Sequence, residues 1–272
     1  MTKRKHHPVV ITLLALLALL LILAGIFLLG GENRLLRDTA FVYRQNQSLA
    51  LYENDSVTVS VLFVGDPGKT SAGGSSSPAS MLLSGGDGTC PVIRADVKEL
   101  KSASLFSPYT LSRITMQIDP DLKAGESVTY RTLQIGSESY DIGSVNLFAV
   151  ASGNGPDIGI GTSPYYPDPG SFNLVISNRE AFPVTFTRIW HMENGADAEL
   201  LDTPVTVDGG AEAEMLLRTG FSNARHVICP AFEYTSGGTT WYGIPLVSTE
   251  YTESLSKEDI LNEIRREGTS NE

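Results

Sequence analysis

The sequence predicts an all-β protein: one or two antiparallel β-sandwiches that follow an N-terminal transmembrane helix and precede a short C-terminal α-helix. Two observations predict the β class. At least ten short segments alternate apolar and polar residues with a period of two, and Gly, Pro, Asn and Asp bound them at spacings of roughly 8–15 residues. No helical periodicity of useful length interrupts them, which disfavours a parallel α/β fold.

The N-terminal segment, residues 8–31, contains no charged residue and follows a basic tip. Residues 9–29 supply 21 residues in which Thr12 is the polar member, and about 20 apolar residues span a bilayer. A cleavable signal peptide has a shorter apolar stretch and a small-x-small cleavage site, which this segment matches poorly. We therefore predict an uncleaved signal anchor in contact with the lipid bilayer; a cleaved signal peptide and a buried helix of a soluble protein are the alternatives.

The charges around this segment predict its orientation. Lys3, Arg4 and Lys5 lie in the tip of residues 1–7, and Lys and Arg beside a span stay on the cytoplasmic side. The predicted location is the cell membrane, with the tip cytoplasmic and residues 32–272 extracellular. All 31 acidic residues and 17 of the 20 basic residues follow residue 31, so this part carries a formal charge of −14. That charge disfavours binding to nucleic acid through a basic face.

Composition divides the extracellular part into two β regions. Residues 32–151 form the first predicted domain, which includes a Gly- and Ser-rich loop, residues 65–91, that we expect to be mobile apart from a short strand at its Met81-Leu82-Leu83. Residues 152–171 hold five Gly and four Pro and predict a linker, and residues 172–252 form the second predicted domain. The strand-like segments are residues 57–64, 92–99, 113–119, 127–135, 144–150, 172–178, 183–191, 213–218, 226–234 and 241–247.

The second region has a recognisable order of segments. A strand ends in Asn178, a second strand carries a Val-Thr pair before Trp190, a turn contains Gly209 and Gly210, and further strands close the region. Over residues 172–247 this order resembles the immunoglobulin-like domains of bacterial surface proteins. The resemblance implies an immunoglobulin-like β-sandwich architecture, and it implies no particular activity.

The C-terminal segment, residues 253–272, predicts a helix and a tail. Ser256 suits the N-cap with Asp259 three residues later, and Leu255 and Ile260 stand at the two hydrophobic staple positions. Gly268 is the predicted end of the helix. A helix of about ten residues is marginal alone, so it must dock, either on its own domain or on a partner.

Cys90 and Cys229 are candidates for a disulfide, because both are predicted to lie in an oxidising compartment. The bond would tie the two β regions together. Two separate buried thiols are the alternative, since Cys229 lies within a predicted strand and Cys90 ends a predicted flexible loop.

Several fragments imitate active sites without the context that the chemistry needs. The phosphate-loop look-alike at residues 65–70 has Phe63 where that motif needs Gly. The Ser254-x-x-Lys257 fragment lacks the companion motifs of penicillin-recognising enzymes. His191 and Glu193 match the start of a zinc-deaminase signature without its cysteines. We predict no enzyme activity, no cofactor and no metal site, and we expect both His191 and His226 at solvated strand ends.

The predicted function is structural, adhesive or protein-binding, with another envelope protein or a cell-wall polymer as the partner. An alternative is a carbohydrate- or cell-wall-binding module, for which Trp190, Trp241 and Tyr242 would form an aromatic platform. A second alternative is an envelope hydrolase with paired carboxylates, because 31 acidic residues offer many combinations.

Overall fold

The computed structural model describes residues 16–21, 30, 40–65, 81–86, 88–101, 109–162, 171–193, 195–219, 225–245, 249–252 and 256–269. In this part the chain is all-β with a short C-terminal helix, which confirms the predicted class. Residues 16–21 are helical, and most of the predicted anchor, residues 8–31, lies outside the described residues. Within the described part, no helix has the length and apolar character needed to span a membrane.

Eighteen strands and one C-terminal helix, α1, follow one another along the described chain. The strands before residue 163 are β1 Phe41–Tyr43, β2 Gln45–Tyr52, β3 Val57–Val64, β4 Met81–Gly85, β5 Gly88–Lys101, β6 Leu111–Ile118, β7 Ser127–Ile135, β8 Glu138–Val150 and β9 Ile158–Thr162. The later elements are β10 Ser171–Asn178, β11 Val184–Glu193, β12 Ala196–Glu199, β13 Val205–Val207, β14 Glu212–Arg218, β15 Arg225–Cys229, β16 Ala231–Ser236, β17 Thr239–Gly243, β18 Thr249–Thr252 and α1 Lys257–Thr269.

The first lobe is a ten-stranded sheet in the order β1-β3-β6-β5-β4-β7-β8-β2-β15-β18, together with α1. The long strand β5 turns the sheet, because its first residues pair with β4 and residues 92–101 pair with β6. Apolar residues from both parts of the sheet form one core. The predicted alternation is confirmed in β6, where Ile114, Met116 and Ile118 are fully buried because a period of two places them on one face. The predicted Met81-Leu82-Leu83 strand is β4.

The second lobe contains two smaller sheets. One has the order β14-β10-β9, and the other has the order β12-β11-β16-β17 with β13 paired to β11. Their facing apolar side chains form a separate core around Phe186 and Phe232. Strand β9 lies within residues 152–171, the predicted linker, and it pairs with β10; residues 163–170 are outside the described part.

Asn178 at the end of β10 stabilises the turns of the second lobe. Its side-chain Nδ2 donates hydrogen bonds to the carbonyl oxygens of Phe182 and Val207 at 2.9 Å and of Asp208 at 3.2 Å. Its Oδ1 accepts a hydrogen bond from the backbone N–H of Glu180 at 3.1 Å. The side chain is buried, so these bonds satisfy backbone groups that have left the sheet ladder.

The chain passes directly from the first lobe to the second between β15 and β16. Strand β15 pairs in parallel with β2 of the first lobe, and β16 follows it in the second lobe. Pro230 separates the two strands; it has no N–H to donate to a ladder, and this suits a position where the chain passes from one sheet to the other. Ala50 and Phe148 of the first lobe then pack with Trp190 and Ala231 of the second.

Helix α1 packs on the first lobe, to which the preceding strand β18 also belongs. Ser256 and Asp259 form the predicted capping box: the Ser256 N–H donates to the Asp259 carboxylate at 2.9 Å, and the Asp259 N–H donates to Ser256 Oγ at 3.2 Å. Ile260 and Leu261 pack on the apolar residues of β1, β3 and β6. The helix continues to Thr269, one residue past the predicted end.

Candidate binding cleft

A cleft of about 470 Å³ separates the two lobes, which is within the range of roughly 300–1,000 Å³ typical of ligand sites. The first lobe contributes the turn of residues 124–127 and the end of β8, residues 148–151. The second lobe contributes residues from β11, β12, β16 and β17. The larger side chains that line the cleft include Glu126, Phe148, Arg188, Trp190, Asp197, Glu233 and Tyr242.

A β-bulge in β11 turns the side chains of Arg188 and Trp190 toward the cleft. The pairing of β11 with β16 shifts register between Phe186 and Arg188. Strict alternation from Phe186 would place Arg188 and Trp190 in the core, whereas a bulge inserts one residue and exchanges the faces. Ile189 therefore joins the core of the second lobe, and Trp190 faces the first lobe.

Cross-strand pairing assembles one row of the site on three neighbouring strands. Arg188 on β11 lies opposite Glu233 on β16, which lies opposite Tyr242 on β17. Directly opposed residues on a sheet share a face and stand about 5 Å apart at Cβ. The sequence separates these residues by up to 54 positions, so the row exists only in the folded sheet.

Aromatic rings form the floor of the cleft. The Trp190 ring centroid lies 6.3 Å from that of Phe148 and 6.3 Å from that of Tyr242, with interplanar angles of 44° and 81°. Trp190 is only 5% exposed, whereas Tyr242 is half-buried. Such tilted and edge-on pairs add to the stabilisation from burial, so the floor is pre-formed.

Arg188 joins the aromatic floor to the acidic wall. Its guanidinium carbon lies 4.4 Å from the Trp190 ring centroid, and the group donates hydrogen bonds to Glu199 at 2.5 Å and Asp197 at 2.8 Å. Burial opposes the charge of Arg188, but the two carboxylate hydrogen bonds outweigh it and raise the pKa of the guanidinium. The side chain is therefore fixed in its cationic form.

The other carboxylates of the cleft also accept hydrogen bonds from the protein. Glu233 accepts a bond from Thr187 Oγ1 at 2.8 Å, and Glu126 accepts one from the Lys123 N–H at 2.9 Å. Glu126 and Asp197 are exposed and Glu233 is half-buried. With one arginine against three carboxylates, the lining of the cleft is acidic.

Comparisons with known proteins identify no family. No protein-family model matches the chain, and no curated protein matches it significantly. Solved structures that are similar include the crystal structure of the Pseudomonas aeruginosa CupB2 chaperone, with 9% identity, a TM-score of 0.22, and coverage of 76% of this chain and 100% of that one. A likeness at that TM-score supports no conclusion about this chain.

The structure brings two of the three predicted platform aromatics together. Trp190 and Tyr242 meet in the cleft. Trp241, the neighbour of Tyr242, points to the other face of β17, where it packs against the core of the second lobe. A Cβ atom on Gly155 would lie only 3.1 Å from the Trp241 ring, so the backbone after β8 passes closely over that ring.

The sequence analysis missed Phe148, Arg188 and Glu233 as components of a site. Arg188 and Glu233 lie in predicted strands, and only the pairing of β11 with β16 makes them neighbours. A charged residue within an otherwise apolar strand was the signal that could have indicated a site. In the segments of residues 183–191 and 226–234, Arg188 and Glu233 are such residues.

Two histidines lie at the seam between the lobes, and the prediction of solvated strand ends is wrong for both. His191 is 1% exposed and His226 is 8% exposed, because β11 and β15 both run into the inter-lobe contact. The backbone N–H of Met192 donates to Ser48 Oγ across this seam at 2.8 Å. Burial, followed by the charge of nearby His191, lowers the pKa of His226 to about 4, and burial lowers that of His191.

The structure does not bring the two cysteines together. Cys90 lies on β5 and Cys229 on β15, and both thiols are free and buried. Five strand intervals separate β5 from β15 in the sheet order, so no strand pairing places the two cysteines side by side, and they form no disulfide. Burial raises the pKa of the Cys229 thiol to about 12 and also raises that of Cys90.

The remaining look-alike fragments gain no support from their positions. Residues 66–70 of the phosphate-loop fragment and Ser254 lie outside the described part. Among the described residues, no group of three or more His, Cys, Asp or Glu side chains is arranged to hold a metal ion.

Proposed function

We propose that this protein is a membrane-anchored, extracytoplasmic binding module that holds a segment of another envelope protein in the cleft between its lobes. Residues 8–31 form the anchor, and the two lobes are immunoglobulin-like β-sandwiches outside the cytoplasm. The observation that carries the proposal is the inter-lobe cleft, with its pre-formed aromatic floor and acidic lining.

The chemistry of the cleft favours a partner segment that combines apolar and basic side chains. The half-buried ring of Tyr242 offers apolar contact area, and the buried rings of Phe148 and Trp190 behind it leave it little conformational freedom to lose on binding. Glu233 and Glu126, which form no ion pair with a described residue, attract a cation to the same place. A lysine or arginine flanked by apolar residues matches both features.

Neither alternative function is favoured by the geometry. A sugar platform needs its rings on one exposed face, and Trp190 is 5% exposed while Trp241 lies on the other face of β17. A hydrolase needs a carboxyl group held in an apolar environment as a general acid. The cleft carboxylates accept hydrogen bonds and are exposed or half-buried, which does not suit that role.

Tryptophan fluorescence tests the proposal directly. In a Trp241→Phe background, Trp190 is the sole tryptophan, and it reports on occupancy of the cleft. We expect a synthetic peptide of alternating leucine and lysine to change its emission saturably. A matched leucine–glutamate peptide and soluble cell-wall fragments should not.

The charge contribution is tested with Glu233→Gln, which should weaken peptide binding about 5- to 10-fold through loss of one charge interaction of roughly 1 kcal/mol. Glu212→Gln is the matched control, because Glu212 is exposed on β14 and bonds only to Ser177 among the described contacts. Saturable binding of the cell-wall fragments, or equal binding of both peptides, would contradict the proposal.

A further inference from the structure

The outer part of β5 is an open sheet edge among the described strands. Residues 92–101 pair with β6 on one side. Pairing with β4 on the other side stops at Pro91, and no other described strand pairs there. An edge of this kind presents backbone N–H and C=O groups to any strand that approaches it.

Exposed apolar side chains concentrate on this edge. Outside residues 16–21, five large apolar side chains of the described part are exposed, and three of them are Ile93, Val97 and Leu100 of β5. Val97 lies opposite Ile114, which is fully buried, so Val97 is on the core side of the sheet and is still 38% exposed. Among the described residues, the sheet thus ends with apolar surface that no other strand covers.

The charges of β5 are self-complementary in one antiparallel register. In an antiparallel pair with Val97 opposite Val97 of a second copy, Asp96 lies opposite Lys98 of that copy, and the reverse pair forms as well. A shift of two residues in either direction places Asp96 opposite Asp96 or Lys98 opposite Lys98. Neither Asp96 nor Lys98 forms an ion pair with a described residue of its own chain, so both are available to a second copy.

We propose that two copies of this chain associate through antiparallel pairing of their β5 strands, with the two-fold axis at Val97. The paired edges would join the two sheets into one continuous sheet. Opposite charges directly across strands are favourable and like charges are unfavourable, so this register is preferred over its neighbours. Anchoring in one membrane would hold the two copies in the same plane.

Charge reversal tests the register. We expect the full chain in neutral detergent to show a monomer–dimer equilibrium by sedimentation velocity. Asp96→Lys and Lys98→Asp should each weaken dimerisation about 30-fold, because each replaces two attractive pairs by two repulsive ones. The double variant D96K/K98D should restore it to within about threefold. A double variant as weak as the single variants would overturn the proposal, as would single variants that leave the dimer intact.

Cysteine crosslinking locates the axis. Directly opposed residues have Cβ atoms about 5 Å apart, close to disulfide geometry, so Val97→Cys should crosslink the full chain rapidly under mild oxidation. Ala95→Cys is the matched control, because the two Ala95 positions would be about 13 Å apart along the paired strands. Both native thiols are buried and should stay uncrosslinked. Equal crosslinking of the two variants, or none in Val97→Cys, would overturn the proposal.

Discussion

Arg44 fastens helix α1 to the first lobe, and its removal gives the sharpest test of this packing. Arg44 Nε donates to Glu263 Oε1 at 2.6 Å, and the Glu263 side chain is 1% exposed. Arg44 Nη1 donates to Asp141 Oδ2 at 3.1 Å, and the Asp141 side chain is 54% exposed. Arg44→Ala therefore leaves a carboxylate buried under the helix without its main cation.

The cost of this substitution follows from the burial of the pair. Removing one partner of a fully buried ion pair costs about 3–5 kcal/mol. The Arg44 side chain is 30% exposed, and solvent screening reduces the loss to about 2–3 kcal/mol. Asp141→Asn removes the exposed ion pair between Arg44 and Asp141 and should cost less than about 0.5 kcal/mol. The double variant R44M/E263L replaces both charges by apolar groups and should fall within about 1 kcal/mol of the natural chain.

Urea denaturation gives the free energy of unfolding for each variant, and hydrogen exchange of the α1 amides gives the local effect. Exchange in α1 should accelerate about 30- to 150-fold in Arg44→Ala, as a loss of 2–3 kcal/mol requires. Equal losses of unfolding free energy in Arg44→Ala and Asp141→Asn would refute the conclusion that the buried Arg44–Glu263 pair stabilises the structure more than the exposed Arg44–Asp141 pair. A double variant as unstable as Arg44→Ala would refute the explanation that the buried Glu263 carboxylate has lost its closest cation.

Three further substitutions test other parts of the structure. Stability should fall by about 2–3 kcal/mol between pH 7.5 and 4.5 because of His226: the unfolded chain binds a proton near pH 6.5, whereas the native pKa is about 4. His226→Gln should lose that part of the pH dependence in urea denaturation, and an unchanged profile would contradict it. Asn178→Ala should cost about 2–3 kcal/mol, since it leaves buried carbonyl groups without a donor; a midpoint in urea equal to that of the natural chain would be the contrary result. Gly143→Ala should cost about 2–4 kcal/mol by thermal or urea unfolding, because Gly143 has φ +85° and a Cβ atom would lie 2.5 Å from the Gln45 carbonyl oxygen. A loss below about 0.5 kcal/mol would show that the backbone there can relax.

The strands could be predicted from the sequence because their signal is local. Alternation in β6 and the Ser256–Asp259 capping box depend on residues a few positions apart, and both are present in the structure. The bulge before Arg188 was not predictable in this way. It leaves the composition of the segment unchanged, yet it exchanges the faces of Arg188, Ile189 and Trp190.

The inter-lobe architecture depends on pairings between distant residues. The segment of residues 226–234 predicted one strand, but Pro230 divides it into β15 and β16, which belong to different sheets. The parallel pairing of β15 with β2 joins residues 180 positions apart. That pairing buries His226 and positions the second lobe against Phe148, so neither the histidine environment nor the cleft had a local signature.

The central claim is that the inter-lobe cleft binds a partner protein outside the cytoplasm. Its most direct test is site-specific photo-crosslinking in intact cells, with benzoylphenylalanine in place of Tyr242 in the cleft and, as the control, in place of Phe182. Phe182 is 45% exposed on the second lobe and does not line the cleft. The account predicts a discrete protein adduct from position 242 that Glu233→Gln reduces, and no such adduct from position 182. The same adducts from both positions, or none from position 242, would contradict it.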